Sequence, residues 1–363
     1  MSMEYKVGIV GPTRVGKTSL ITAVLEDAQR LLQGKPVSLQ PAHSQTKQRF
    51  DRHQNELHGT LSAAQKQFSA GNLRGTEEPF IYQLELTPGD CDFRISLNIM
   101  DYPGGWIDED RRPANRQEDW RGCQQWFKDS PVLIIPIDAS VAMEASEGTH
   151  RAAAPFILTI AQVAGIAREW GKERKKRSHE PAAVLICPVK CESYFADNGG
   201  TKNEAPKLLS TIRSLYEPVI HAVKGEAPHV NIIYSPIDTI GCIELIEARW
   251  QPDPAVPGGM DFSADYLVRK PYRRQVKGAD AVLITLMKQF VAMEQDVKNA
   301  EAKGKTEIAT RDFGFFGNMW HWLNGQRGLD RVQAQLAWRR VEDLKEALSW
   351  LGSQPYGSRV ENL

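Results

Sequence analysis

The sequence predicts an α/β fold with a doubly wound, mostly parallel sheet, on three observations. A glycine-rich turn at residues 11–18 follows a short β-branched run and precedes a helical pattern. Buried-strand runs then alternate with amphipathic helical stretches, an order that demands crossovers and so parallel strands covered on both faces. One segment departs from that order: in "PFIYQLELTPGDCDFRISLNIMD", alternation on either side of a Pro-Gly-Asp turn marks the only strong antiparallel signal, a hairpin.

Each element follows from local pattern. Residues 5–10 are a strand, and Leu20, Val24 and Leu31 recur at helical spacing after the glycine turn. Phe50, Leu57, Leu61, Ala64 and Phe68 lie on one stripe, which predicts an amphipathic helix over about 43–70. Beyond the hairpin come the strand "PVLIIPIDA", a helix through "APFILTIAQVAGIAREW", the strand "AAVLICPV", a helix through "APKLLSTIRSLYEPVIHAV", and the strand "VNIIYSPI". "QPDPAVPGGMDFS" is a Pro/Gly loop, and "GADAVLITLMKQFVAMEQDVKNAEAKGK" a long helix. Ala337, Val341, Leu344, Leu348 and Leu351 form the stripe of a last helix that packs on the domain or on a partner.

Composition narrows the class. The 363 residues carry 45 Lys+Arg against 45 Asp+Glu, so no global field selects nucleic acid or an anionic membrane. The five cysteines form no C-x-x-C pair, and neither they nor the eight histidines stand at zinc spacing. The apolar runs fall far short of the ~20 residues that a spanning helix needs. These features predict a cytoplasmic protein with reduced thiols and no metal beyond one that accompanies a nucleotide.

In "GPTRVGKTS", Gly11, Gly16, Lys17 and Thr18 stand at the spacing G-x-x-x-x-G-K-T between strand and helix. A loop of this kind wraps backbone N–H groups around a phosphate and points a helix N-terminus at it. Gly11, Thr13, Arg14, Val15, Gly16, Lys17, Thr18 and Ser19 are therefore candidate nucleotide contacts, with Lys17 on the β and γ oxygens and Thr18 on Mg²⁺. The magnesium shell also needs an acid at the end of a second strand, and Asp101 in "IMDYPGG" supplies it. There Gly104 offers an N–H to a γ-phosphate, and Tyr102 stands where many ATPases place a catalytic glutamate.

"GPTRVGKT" and "DYPG" together resemble the P-loop GTPases of the translation-factor and Ras-like class. The resemblance implies a threonine in the first switch loop that ligates magnesium and meets the γ-phosphate; Thr76 stands there, with Thr60 the substitute. It implies a guanine-reading N-K-x-D element at "VKCE", where Lys190 lies along the base and Glu192 contacts it, while Val189 departs from the pattern. Ser235 then opens a strand-to-helix turn similar to the last base-contacting loop, with Asp238 and Thr239 as caps of the following helix. The glutamine that positions water in many small GTPases is replaced by Gly105. Arg14 in G-x-x-R-x-G-K-T resembles the loop arginine of guanylate-binding proteins and atlastins, an internal finger that often acts on dimerisation; Arg111 and Arg112 are alternatives.

More narrowly, "YSPIDTIG", a strand and "KGADAVLITLMKQF" resemble the bacterial double-GTPase domains of conflict systems, which implies a switch that licenses an effector. The expectation is a GTPase domain over 1–290, with its helical insertion before the first switch, and a helical extension over 291–363. It binds GTP, GDP and Mg²⁺, hydrolyses slowly without a partner or self-association, and controls a protein effector. A low-turnover scaffold and an ATP-using protein are the rivals. "REWGKERKKRSHE" reads as a solvated helix end, and the aromatic segment 313–325 as a core cover or, if exposed, a protein or membrane contact.

Overall fold

The structure is a computed structural model and describes residues 2–63, 67–69, 75–88, 94–146, 148–178, 180–253, 259–270, 272–302 and 331–363. The aromatic segment 313–325, Cys91 and the tip of the first hairpin lie outside the described residues.

Strands β1 (Ser2–Ile9), β5 (Arg94–Asp101), β6 (Val132–Asp138), β7 (Ala183–Val189) and β8 (Asn231–Tyr234) run parallel. β4 (Phe80–Thr87) and β2 (Ser38–Pro41) extend one edge antiparallel, and β11 (Glu361–Asn362) extends the other. The spatial order is β11-β8-β7-β6-β1-β5-β4-β2. Every residue of β6 and β7 is buried, as continuous apolar runs require of central parallel strands.

Helices cover both faces. On one, α1 (Lys17–Leu31), α9 (Asp280–Ala302) and α10 (Arg331–Ser353) share a core in which Leu20, Val24, Leu283, Leu286, Leu344, Leu348 and Leu351 are buried. The described end of the last helix thus packs on the domain. On the other, α3 (Gln117–Asp129), α6 (Ile160–Lys176), α7 (Ala205–Leu215) and α8 (Glu217–Glu226) bury Trp120, Phe127, Val163, Trp170, Leu208 and Val219. In the basic stretch at the end of α6, Lys172 pairs with Glu169 and Lys176 with Glu173, and Arg174 is buried with Lys128 O and Glu180 as partners.

Several elements depart from the sequence expectation. The helix expected over 43–70 is α2 (Ser44–Ala63), and β3 (Gln67–Ser69) beyond it is a strand on the edge of β10 (Met260–Val268). β10 pairs in turn with β9 (Ile243–Pro252), so both ends of the stretch read as a Pro/Gly loop belong to antiparallel strands, and residues 254–258 between them lie outside the described residues. A strand therefore follows Gly241, and Asp238 and Thr239 cap no helix. The two long helices expected after β6 and β7 are each broken. Thr159, at φ 49°, separates α5 (Gly148–Ile157) from α6, and Tyr216 separates α7 from α8 because Pro218 has no N–H to continue the ladder. The short α4 (Ala139–Glu144) is capped by Asp138, whose carboxylate accepts from the N–H of Ser140 and Val141.

Candidate functional site

The C-terminal ends of β1, β5, β6, β7 and β8 converge on one rim, where ligands bind in open α/β sheets. The loop after β1 turns through two left-handed residues, Arg14 (φ 61°) and Gly16 (φ 103°), before α1 begins at Lys17. No side chain caps that N-terminus and no acid stands in its first turn, which leaves its dipole and N–H groups to an anion. Gly11 packs closely beneath the loop, where a Cβ would meet Pro136 Cγ and its carbonyl oxygen at 3.2 Å and press both back by a few tenths of an ångström. The Lys17 ammonium is buried, donates to the carbonyls of Gly11 (3.2 Å) and Pro12 (3.0 Å), and lies 4.8 Å from the centre of the Tyr102 ring. Burial pulls its pKa down to about 8, against the opposing charge of Asp101.

Beside Lys17, three segments meet on one atom. Asp101 Oδ2 accepts from Thr18 Oγ1 at 2.7 Å and from Thr76 Oγ1 at 2.8 Å, and the two hydroxyls are 3.4 Å apart. Asp101 is buried and its Oδ1 has no hydrogen-bond partner among the described residues, a cost that a buried carboxylate oxygen meets only with a ligand at hand. Two hydroxyls and a carboxylate are the hard oxygen donors that suit Mg²⁺. Thr60, the alternative to Thr76, sits within α2 and donates to the carbonyl of Glu56.

Gly104 opens a short 3₁₀ turn that lies against the phosphate loop. A Cβ at Gly104 would stand 2.3 Å from Thr13 N and 2.4 Å from the Pro12 carbonyl carbon, so only glycine permits this approach. At Gly105 a Cβ would meet Thr13 Oγ1 at 3.4 Å and Arg111 Cβ at 4.0 Å, which is ordinary contact. Tyr102 does no acid's work: its buried phenol donates to Gly11 O and accepts from Gly11 N, both at 3.1 Å, and its ring packs on Trp120 and Phe127. The strand carrying Asp101 is thereby pinned to the phosphate loop.

On the other side of the loop, Lys190 (φ 56°) donates to Arg14 O at 2.9 Å and pairs with Asp138. Glu192 is buried and turned inward; its Oε1 accepts from Ile240 N and Gly241 N at 3.0 Å each, and its Oε2 has no partner among the described residues. Burial, then the charge of Asp238, raises its pKa. Ser235 is buried at the end of β8, its N–H donating to Ile186 O and its hydroxyl unpaired among the described residues. Ser19 Oγ lies 3.0 Å from His53 Nε2 of α2, and Ser19 O accepts from Arg274 at 3.4 Å. Burial and the Arg274 charge lower the His53 pKa to about 4, so its ring is neutral at pH 7.

Residues 6–183 match the family model described as Double-GTPase 2. That stretch is similar to a double-GTPase 2 domain. Similarity to a double-GTPase domain implies GTP binding and suggests GTP hydrolysis, and GTPases of this kind usually take Mg²⁺. Comparison with curated proteins returns no match. The double-GTPase 2 span takes in the phosphate loop, Thr76, Asp101 and Gly104, and it ends at the first residue of β7. Lys190, Glu192 and Ser235 lie beyond it.

An open cleft of about 1090 Å³ borders the double-GTPase 2 phosphate loop, between Thr13, Arg14, Gly104 and Gly105 on one wall and α5 and β10 on the other. Arg14 is exposed there, and its guanidinium has no hydrogen-bond or ion-pair partner among the described residues. Arg111 enters the same cleft but is paired with Asp108 and Asp253, and Arg112 donates to Trp106 O. His53, Arg274 and Asp138 carry no motif, and Tyr102 fills a variable position of D-x-x-G; the contacts of all four are found only because the fold brings them to the rim. No helix among the described residues is long and apolar enough to cross a membrane.

Proposed function

We propose that this chain is a magnesium-dependent GTPase that acts as a conformational switch, binding GTP and GDP at the phosphate loop and presenting its switch segments to a protein partner. The observation that carries this reading is the meeting of Thr18, Thr76 and Asp101 on one carboxylate oxygen beside Lys17. Thr18, Asp101 and Thr76 would hold magnesium, which when bound neutralises charge on the phosphate oxygens. Lys17 stabilises charge on the β and γ oxygens, with Gly11, Thr13, Arg14, Val15, Gly16 and Ser19 lining the phosphates. Thr76 and Gly104 sense the γ-phosphate, and its loss frees their two segments to rearrange. Lys190, Ser235 and Glu192 form the base side. The four described cysteines are free and buried, which suits work in the reducing cytoplasm; the place in a bacterial conflict system rests on the double-GTPase resemblance alone.

Two observations favour narrower rivals. Gly105 has no side chain to orient water, which fits a nucleotide-binding scaffold with little turnover. The inward Glu192 fits weak discrimination of guanine, and so use of ATP. Binding of fluorescent guanine and adenine nucleotides with Mg²⁺, using Lys17→Ala as the blank, separates these readings. Guanine preference lost in the blank, followed by measurable phosphate release, is the expected result. Adenine preference would replace the ligand, and tight binding without release would leave the scaffold.

The buried ammonium adds a pH signature. With its pKa lowered to about 8, Lys17 sheds its proton in the free protein at a pH where an ordinary lysine is charged. Phosphate oxygens favour the charged form, so binding at about pH 9 takes up close to one proton and binding near pH 6.5 takes up none through this group. Calorimetric enthalpies in buffers of different ionisation heat read that proton directly; equal enthalpies at the higher pH would refute it.

A further inference from the structure

Outside the phosphate loop and the metal cluster, the most fully satisfied charged cluster on the rim is built by the C-terminal tail. Leu363 N donates to Ile232 O at 2.9 Å, and β11 pairs with β8 at Tyr234 and Ile233, directly before Ser235. From this edge Arg359 reaches back into the loops. Its Nε and Nη2 take both oxygens of Asp197, its Nη1 donates to Asp238 Oδ2 at 2.9 Å, and its guanidinium lies 3.9 Å from the centre of the Phe195 ring. The side chain is only 7% exposed, so this is a desolvated contact with its charge matched on two sides.

Asp238 is where the base-side loops are joined. Its carboxylate is buried and also accepts from Asn198 Nδ2 at 2.9 Å and from the Cys191 thiol at 3.3 Å. Asn198 and Cys191 belong to the loop that carries Lys190 and Glu192, and Asp238 lies between Ser235 and the Ile240–Gly241 amides that hold Glu192. Without the guanidinium, Asp197 keeps Lys277 as its cation, whereas the buried Asp238 carboxylate keeps only two neutral donors, Asn198 and the Cys191 thiol, and loses its charged partner.

We propose that the C-terminal tail is a strap for the base side of the nucleotide site, with Arg359 as a positioning residue that fixes loops 190–198 and 235–241 and so sets purine selectivity. The proposal rests on the nucleotide-binding reading above and assigns the tail a part in it. Arg359 touches no ligand in this scheme; it acts through Asp197 and Asp238. Because the phosphate loop is left intact, its loss alters base recognition more than phosphate binding.

The test is the ratio of GDP and ADP dissociation constants in the full-length protein, for wild type, Arg359→Ala and Arg359→Lys. Arg359→Ala is expected to cut the preference for the favoured purine about tenfold, and Arg359→Lys to recover part of it by restoring one charged hydrogen bond. Amide exchange in residues 235–241 should quicken in Arg359→Ala and be partly restored in Arg359→Lys. A variant that is merely less stable loses both nucleotides together and keeps the ratio, so an unchanged ratio in Arg359→Ala overturns the strap, whatever its stability. Wild-type protein that binds neither purine would sink the nucleotide reading and the strap with it, whereas tight, selective binding by wild type and variant alike would sink the strap alone.

Discussion

Gly104→Ala is expected to abolish tight nucleotide binding, while Gly105→Ala, one residue along, leaves it close to wild type. The two positions differ in what surrounds the added methyl. At Gly104 the neighbours are backbone atoms of Pro12 and Thr13 at 2.3–2.5 Å, which cannot turn aside as a flexible side-chain tip does. At Gly105 the nearest is a hydroxyl at 3.4 Å. The Gly104 methyl must therefore push the phosphate loop and the 3₁₀ turn apart. Tyr102 resists on the same segment, since its phenol is bonded to both backbone atoms of Gly11. Overpacking of this kind costs about 1–3 kcal/mol of stability, and a phosphate loop out of register costs about 10²-fold or more in affinity. Fluorescent-nucleotide titration and thermal melts of both variants check it. Affinity within a few-fold of wild type in Gly104→Ala would show that the close approach has no bearing on the ligand.

The same site shows why part of it was legible in sequence. The phosphate loop and the D-x-x-G segment are contiguous, and each residue's part follows from its place between a strand and a helix. The burial of β6 and β7 also followed from uninterrupted apolar runs. Thr76 needed the family resemblance, because Thr60, Ser62 and Ser69 also precede β4 and only the fold brings Thr76 to Asp101. The braces carried no such signal. Tyr102 and Gly11 are 91 residues apart, Arg359 and Asp238 are 121 apart, and Ser19 and Arg274 are 255 apart, so no local period reports these pairs. The β9–β10 hairpin did leave a trace, with alternating residues on either side of "PDPAVPGG". Its strands are only half buried, and charged residues on their open face hid the alternation behind the Pro/Gly cluster between them.

The unequal anchoring of the two sides of the rim bears on the proposed switch. Tyr102 and the Thr18–Asp101–Thr76 cluster join the metal side to the phosphate loop through side chains of three segments. The base side is joined to it by Lys190 on Arg14 O, and to itself through Asp238 and Glu192. Thr76 is the least anchored member of the metal cluster. It stands on an irregular segment, its neighbours Gly75 and Glu77 are exposed, and it reaches the cluster through its hydroxyl alone. Beside that hydroxyl the segment has an exposed ion pair between Glu78 and Arg116, a weak tie, so it opens at low cost, as a γ-phosphate sensor requires.

Arg14→Asn is expected to lower phosphate release about 10³-fold while nucleotide affinity changes little. Asparagine is the informative substitution because Arg14 sits at φ 61°, a left-handed conformation that asparagine tolerates and most residues do not. The Arg14 carbonyl keeps its bond from Lys190, so the loop is preserved and only the guanidinium is lost. That guanidinium is exposed at the mouth of the cleft beside Gly104 and Gly105, where hydrolysis has no glutamine to orient water. An arginine supplied to the transferring phosphoryl group is worth ~10³ to 10⁵ in rate, so its loss would dominate any effect of loop strain. Arg111 shares the cleft but is committed to Asp108 and Asp253, and Arg111→Ala is expected to cost less than tenfold. Single-turnover phosphate release at several protein concentrations decides between them. If self-association brings Arg14 to the phosphates, the wild-type rate rises with concentration and the Arg14→Asn rate stays flat. A rate in Arg14→Asn within threefold of wild type would remove the loop arginine from the chemistry.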